Sequence, residues 1–217
     1  MKPNVAALGI IAVLHAVGVL GVIFGYGAWI WPLTPLNLLV AGGLAIWRAW
    51  PARTGWWLVV ALSGYVAEVI GVQQGWLFGS YAYGTALGPV VAGVPLMLGW
   101  MWLLLLQGSR YRWGGRWGQA VLGATLMTGM DGLIEPVAIR AGWWSWSAVQ
   151  SPWMSWISWD VSGQSIPWWN FGSWWVVSFV LLLFAPAVPS LEHQRVWRGL
   201  WWVMVSFFTL LNVFEWS

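Results

Sequence analysis

Apolar positions fill long runs of this chain, and the polar positions are gathered into the intervals between them. Runs of about 17 to 25 apolar residues have the length of a helix crossing a bilayer core, so the pattern predicts membrane-spanning helices. Six stretches qualify, Val5 to about Phe24, Trp56 to Val72, Pro89 to Leu106, Trp117 to Ala138, Trp169 to Ala185 and Val196 to Phe214, and a seventh, Leu33 to Trp47, is short but extendable. The first follows Lys2 as a signal peptide would, but it is long enough to span and lacks an obvious cleavage site, so it is read as a span. Two intervals stand out: Gln73 to Gly88, rich in Gly and Tyr, and Gly142 to Trp168, rich in Trp. No repeat or linker divides the chain, which is expected to form one transmembrane domain over 1–217.

Composition agrees. With 60% hydrophobic and 7% charged residues among 217, and a mean hydropathy of +0.71, a soluble domain is excluded. The expected fold is all-α, a polytopic membrane helical bundle of about seven transmembrane helices. The 25 Trp and 27 Gly fit, because Trp favours bilayer interfaces and Gly lets helices approach closely. The net charge of +3 comes from scattered residues that form no nucleic-acid patch. They read as topology signals instead. With seven spans, Lys2, Arg48, Arg53, Arg110, Arg112, Arg116, Arg195 and Arg198 share one side and Arg140 lies opposite. That bias predicts a cytoplasmic N-terminus, in an inner (plasma) membrane of prokaryotic type. Cysteine is absent, which excludes disulfides, thiolate nucleophiles and Cys-ligated metal sites.

This topology places the acids. Glu68 lies toward the extracytoplasmic end of span three, and Asp131 and Glu135 lie toward the same end of span five. Four residues apart, the latter two share a helical face. A carboxylate at mid-bilayer costs roughly 2.5–3.5 kcal/mol, so each must face protein, water or a partner. A lone acid of this kind is as readily explained by capping a helix end or bonding a Tyr or Trp. Three converging ones, with Tyr81, Tyr83 and Asn170 on the same side, point to a functional pocket. Asp160 is a fourth candidate. In the interval from Gly142 to Trp168, residues Trp143, Trp144, Trp146, Trp153, Trp156, Trp159 and Trp168 are expected to lie mostly flat at the headgroups. As a lid they would instead wall an apolar cavity suited to an isoprenoid chain, and their ring faces would stabilise a carbocation.

Several chemistries are excluded. A retinal Schiff base needs a lysine deep in a helix, and the chain's one lysine is Lys2. No two acids are adjacent, so there is no Asp-rich magnesium motif. His15 and His193 are too few for a metal centre and read as packed or solvated residues. Neither a metal nor another cofactor is expected.

The blocks EVIGVQQG from Glu68, FGSYAY from Phe78, ALGP from Ala86 and GVPL from Gly93 are followed by DGLIEPVA from Asp131, Trp144-x-Trp146 and IPWWN from Ile166. In this order they resemble the integral-membrane carotenoid biosynthesis family that includes the carotenoid 1,2-hydratases and bisanhydrobacterioruberin hydratase. The resemblance covers roughly 64–175. It departs where the family tends to read Pro-Phe-Gly against Leu77-Phe78-Gly79 here, and His, Arg or Thr near Gln73 or Gln74. It implies cofactor-independent hydration of a terminal isoprenoid double bond in an acyclic carotenoid. Asp131 would be the acid, and Glu135 and Glu68 the base or water-positioning groups. Tyr81, Tyr83 and Asn170 would be hydrogen-bonding partners, with Phe78, Trp144, Trp146 and Trp168 as substrate-binding aromatics. The implied partners are a carotenoid or other isoprenoid lipid, the lipid bilayer and, on the pigment-subunit reading, other membrane proteins. Three readings stay open beside it: a non-catalytic carotenoid- or quinone-binding subunit of a membrane complex, a transporter, and a carotenoid cyclase or isomerase.

Overall fold

The computed structural model describes residues 3–49, 54–147, 158–187 and 191–214. Lys2, Arg53, Trp153 and Trp156 lie outside them. Seven helices of 12 residues or more correspond to the seven apolar stretches: α1 (Pro3–Ile23), α3 (Thr34–Ala49), α4 (Thr54–Gln74), α5 (Met97–Gly108), α6 (Arg116–Arg140), α7 (Trp168–Leu183) and α8 (Leu191–Val213). A four-residue helix, α2 (Gly27–Ile30), and a 3-10 turn lead into α3. Among the described residues, four helical stretches are long and apolar enough to cross a membrane: Asn4–Ile23, Gly27–Arg48, Gly55–Gln74 and Gln194–Val213. Their outward side chains are apolar, as Val13, Val17 and Leu20 of α1 and Leu58 and Leu62 of α4 illustrate.

The two shorter apolar helices differ in kind. Helix α5 is buried along its whole length except at Trp100. At 1.5 Å per residue its 12 residues reach about 18 Å, short of the roughly 30 Å hydrocarbon core. Enclosed by α3, α4, α6 and α8, it meets protein rather than lipid and needs no such length. The expected fourth span began at Pro89, but the chain first forms a hairpin of β2 (Val90–Val91) and β3 (Val94–Pro95). Ala92 and Gly93 take φ values of 51° and 82°, the pair of positive angles that a two-residue hairpin turn uses. The Tyr65 hydroxyl, on α4, donates to the Val91 and Val94 carbonyls at 2.8 and 3.2 Å.

Strands also correct the all-α expectation, although the fold remains mostly helical. β1 (Tyr81–Tyr83) pairs antiparallel with β4 (Trp144–Trp146), and β5 (Ser158–Val161) with β6 (Gln164–Pro167). Both expected loops therefore carry strands, and one ribbon joins them.

Polar contacts link helix ends. The Arg48 Nε, late in α3, donates to Asn4 Oδ1, early in α1, at 2.7 Å. Arg110, just after α5, donates to the Pro186 carbonyl, just after α7. Arg140, ending α6, donates to the Leu211 carbonyl and Asn212 Oδ1, late in α8, at 2.8 and 3.0 Å.

The α4–α5 contact is close because of Gly64. A Cβ there would meet Trp102 Cγ at 2.2 Å and Trp102 Cβ at 2.5 Å, atoms of the stem that cannot swing away. Gly64→Ala is expected to push α5 from α4 and cost about 1–3 kcal/mol, as overpacking does. Gly9→Ala on α1, where a Cβ meets nothing within 4 Å, should leave stability unchanged or slightly raised. Thermal unfolding of the two detergent-solubilised variants checks this, and equal midpoints would contradict it.

Candidate functional site

Glu68 lies two-thirds of the way along α4 and is 2% exposed. Gly64 and Gly71 flank it at i−4 and i+3 and so on the same face. Each makes room for aromatic partners: a Cβ at 71 would meet Phe78 Cδ2 at 2.5 Å and the Tyr81 hydroxyl at 2.7 Å. The carboxylate accepts three hydrogen bonds. Oε2 takes the hydroxyls of Tyr81 and Tyr83, both at 2.7 Å, and Oε1 takes Trp102 Nε1 at 2.9 Å. Burial, reinforced by the charge of Glu68, pushes both phenols up, so they stay protonated and act as donors.

Asp131 and Glu135 stand one turn apart on α6, each 2% exposed. Pro136 follows directly, and its missing N–H leaves the Gly132 carbonyl between them without its usual helical donor. Glu135 Oε2 accepts the indole N–H groups of Trp144 and Trp146 at 2.9 and 3.0 Å. Asn170, in the first turn of α7, donates from Nδ2 to Asp131 Oδ2 at 3.0 Å and to Glu135 Oε1 at 3.4 Å. Among the described residues that amide is the one side-chain hydrogen-bond partner of Asp131.

The β1–β4 ribbon supplies four of these donors together. Its register sets Tyr81 against Trp146, Ala82 against Ser145 and Tyr83 against Trp144. Because side chains alternate along a strand, Tyr81, Tyr83, Trp144 and Trp146 occupy one face, while exposed Ala82 and Ser145 occupy the other. One aromatic face thus serves both glutamates, the tyrosines for Glu68 and the tryptophans for Glu135. Further bonds lengthen the ribbon: Gly84 N–H to the Trp143 carbonyl and Ser147 N–H to the Ser80 carbonyl, both at 2.8 Å. The Trp146 N–H donates to Gln164 Oε1 at 2.6 Å, tying in β6.

The three acids line a single cavity with Phe78, Tyr81, Tyr83, Trp144, Trp146 and Asn170. All but one of the residues expected at the site therefore come together. The cavity is tight, about 20 Å³, room for one water. Trp168 is the exception. It is half-exposed and packs on Phe171 with ring centroids 5.5 Å apart. Two positions before Asn170, it points about 200° away around α7. Asp160 is exposed on β5 and accepts the Ser165 hydroxyl at 2.6 Å, away from the cavity. His15 is packed, its Nδ1 donating to the Ile11 carbonyl at 2.8 Å, and His193 falls in the first turn of α8.

Sequence reasoning missed Trp102 and Trp174, whose rings stack with centroids 4.3 Å apart on the cavity wall. It also missed Leu98, Met101 and Ile134. One signal pointed to Trp102: an indole N–H deep in an apolar span, away from either interface, needs an acceptor. Among the described residues no cluster of three or more His, Asp or Glu is placed to hold a metal ion.

The family model described as "Carotenoid biosynthesis protein" matches residues 17–216. A curated relative, the bisanhydrobacterioruberin hydratase of Haloarcula japonica, is 33% identical over 129 residues. That stretch covers 52% of this chain and 43% of the relative, so the chain matches less than half the relative's length. No solved structure matches.

If the indole donors hold Glu135, Trp144→Phe or Trp146→Phe should each cost about 1–3 kcal/mol, the usual loss for a hydrogen bond to a buried charged group. Combined with Glu135→Gln, either should cost less than the sum of the single changes. A double-mutant cycle by denaturant unfolding reads this, and strict additivity would mean the bonds carry no coupling.

Proposed function

The chain belongs to the carotenoid biosynthesis protein family, and on that footing we propose that it adds water to a terminal isoprenoid double bond of an acyclic carotenoid. Asp131, in its protonated form, delivers a proton to the less substituted alkene carbon. The tertiary cation that forms is held among the faces of Trp102, Trp144, Trp146 and Phe78, each worth about 0.5–2 kcal/mol when desolvated. Glu135 takes a proton from the water that attacks the cation, leaving a tertiary alcohol. Return of that proton to Asp131 restores the site, and the net change is one water added across one double bond.

The observation that carries this reading is the unequal bonding of the acids. Glu68 and Glu135 each accept three hydrogen bonds, an arrangement that suits carboxylates. Asp131 accepts one among the described residues, and so keeps an oxygen free for a proton. Asn170, donating to both members of the pair, fixes their spacing. Glu68 acts as a fixed negative charge opposite the cation and as a positioning group for water, with Tyr81 and Tyr83 holding it. Trp168 is outside the proposed site. The named activity of the relative from Haloarcula japonica is of the same class.

In the same reading the seven helices carry the chain back and forth across a plasma membrane, α5 within the protein interior, with the N-terminus cytoplasmic. The three helix-end contacts through Arg48, Arg110 and Arg140 support it, because each joins two ends that alternate crossing would bring to one side.

Cells making lycopene provide the test. The wild-type chain should yield a product heavier by one water per reacting end. Asp131→Asn and Glu135→Gln should each lower the yield by about 10²–10⁴-fold, the usual share of general acid–base catalysis. Full product from Asp131→Asn would overturn the acid assignment, and a pigment that stays bound but never changes mass would point to a non-catalytic subunit.

A further inference from the structure

The cavity around the acids, about 20 Å³, is too small for even the five-carbon end of an isoprenoid. A second space adjoins it. Between α1, the 3-10 turn, α3 and α8 lies an apolar groove of about 380 Å³, within the roughly 300–1,000 Å³ of small-molecule sites. Leu14, Val17, Leu36 and Val40 form its outer walls, and Trp143 and Phe208 are among the residues at its inner side. The outer four are exposed, so the groove opens on the flank where these helices would face lipid.

Two features join this groove to the acids. Met101, on α5 and 4% exposed, lines both spaces. Trp143 lines the groove, while its neighbour Trp144 lines the acid cavity, with ring centroids 6.3 Å apart. The Trp143 indole also differs from its neighbours. It is 1% exposed and its N–H has no acceptor among the described residues, whereas the Trp144 and Trp146 indoles bond Glu135. A buried donor left without a partner is costly and uncommon.

We propose that this groove seats the polyene chain of the substrate, and that the Met101 side chain is the movable wall its end passes to reach Asp131. An unbranched thioether with three rotatable bonds is suited to that displacement. The proposal rests on the carotenoid reading above and adds to it the location of the chain and its point of entry to the acids.

The test uses the full chain in phosphatidylcholine nanodiscs loaded with lycopene, with retained pigment per protein read by absorption and product by mass. Leu14→Trp and Val17→Trp fill the groove from positions that support no core packing. They should lower retained lycopene about tenfold or more. Leu58→Trp, more exposed still but on α4 away from the groove, should bind as the wild type does. Met101→Phe, which stiffens the wall, should keep the pigment and lose the product. Groove-filled variants that retain wild-type lycopene would overturn the proposal and leave the groove a cleft for lipid chains. Wild-type binding without hydration, lost in Leu14→Trp and Val17→Trp, would uphold the groove and sink the hydratase reading. A wild-type chain that neither binds nor hydrates lycopene would overturn both.

Discussion

Three carboxyl groups inside an apolar bundle need hydrogen-bond partners, and the placement of those partners shapes this molecule. Buried charge is tolerated when its lone pairs are satisfied. Here the donors are aromatic: two phenols and three indoles, with one amide between Asp131 and Glu135. Aromatic donors satisfy a carboxylate while adding apolar surface around it. Lysine or arginine in the same places would pair the acids and neutralise the site; the nearest basic residue along the chain, Arg140, instead reaches α8.

That requirement explains elements that otherwise look incidental. A two-stranded ribbon is unusual beside membrane helices, since strand edges need partners. Here β1 and β4 pair with each other, which presents four donors on one face at strand spacing. The short, buried α5 brings Trp102 to the centre, and Gly64 on α4 admits its ring. Trp174 of α7 stacks on that ring from the other side, so three helices converge on one indole whose N–H holds Glu68.

Much of this was legible in the order of residues. Apolar run length located the seven main helices, and the i, i+4 spacing of Asp131 and Glu135 put both on one face. The convergence of Glu68 with them followed from helix polarity. The strands were not legible, because Tyr-Ala-Tyr and Trp-Ser-Trp are too short for a period of two to stand out, and their pairing joins segments far apart in the chain. The start of α5 was hidden for a related reason: Pro89 to Leu96 is apolar enough to pass for helix, and Ala92-Gly93 is a modest turn signal. Trp168 was drawn in by its neighbours in the motif, but two residues along a helix reverse a side chain's direction.

The order of the residues also sets a schedule. Every side chain that bonds one of the three acids lies C-terminal to it, at separations from 9 to 39 residues. Glu68 therefore leaves the ribosome before any of its partners exists, and Asp131 before Asn170. At elongation rates of about 5–20 residues per second, Glu68 is made roughly 5–20 s before the last contributor to the site. During that interval water or the insertion machinery must shelter the carboxylates. The tyrosines arrive first and from close by, so the Glu68 half of the site can close on its own, and the Glu135 half closes against a surface already formed.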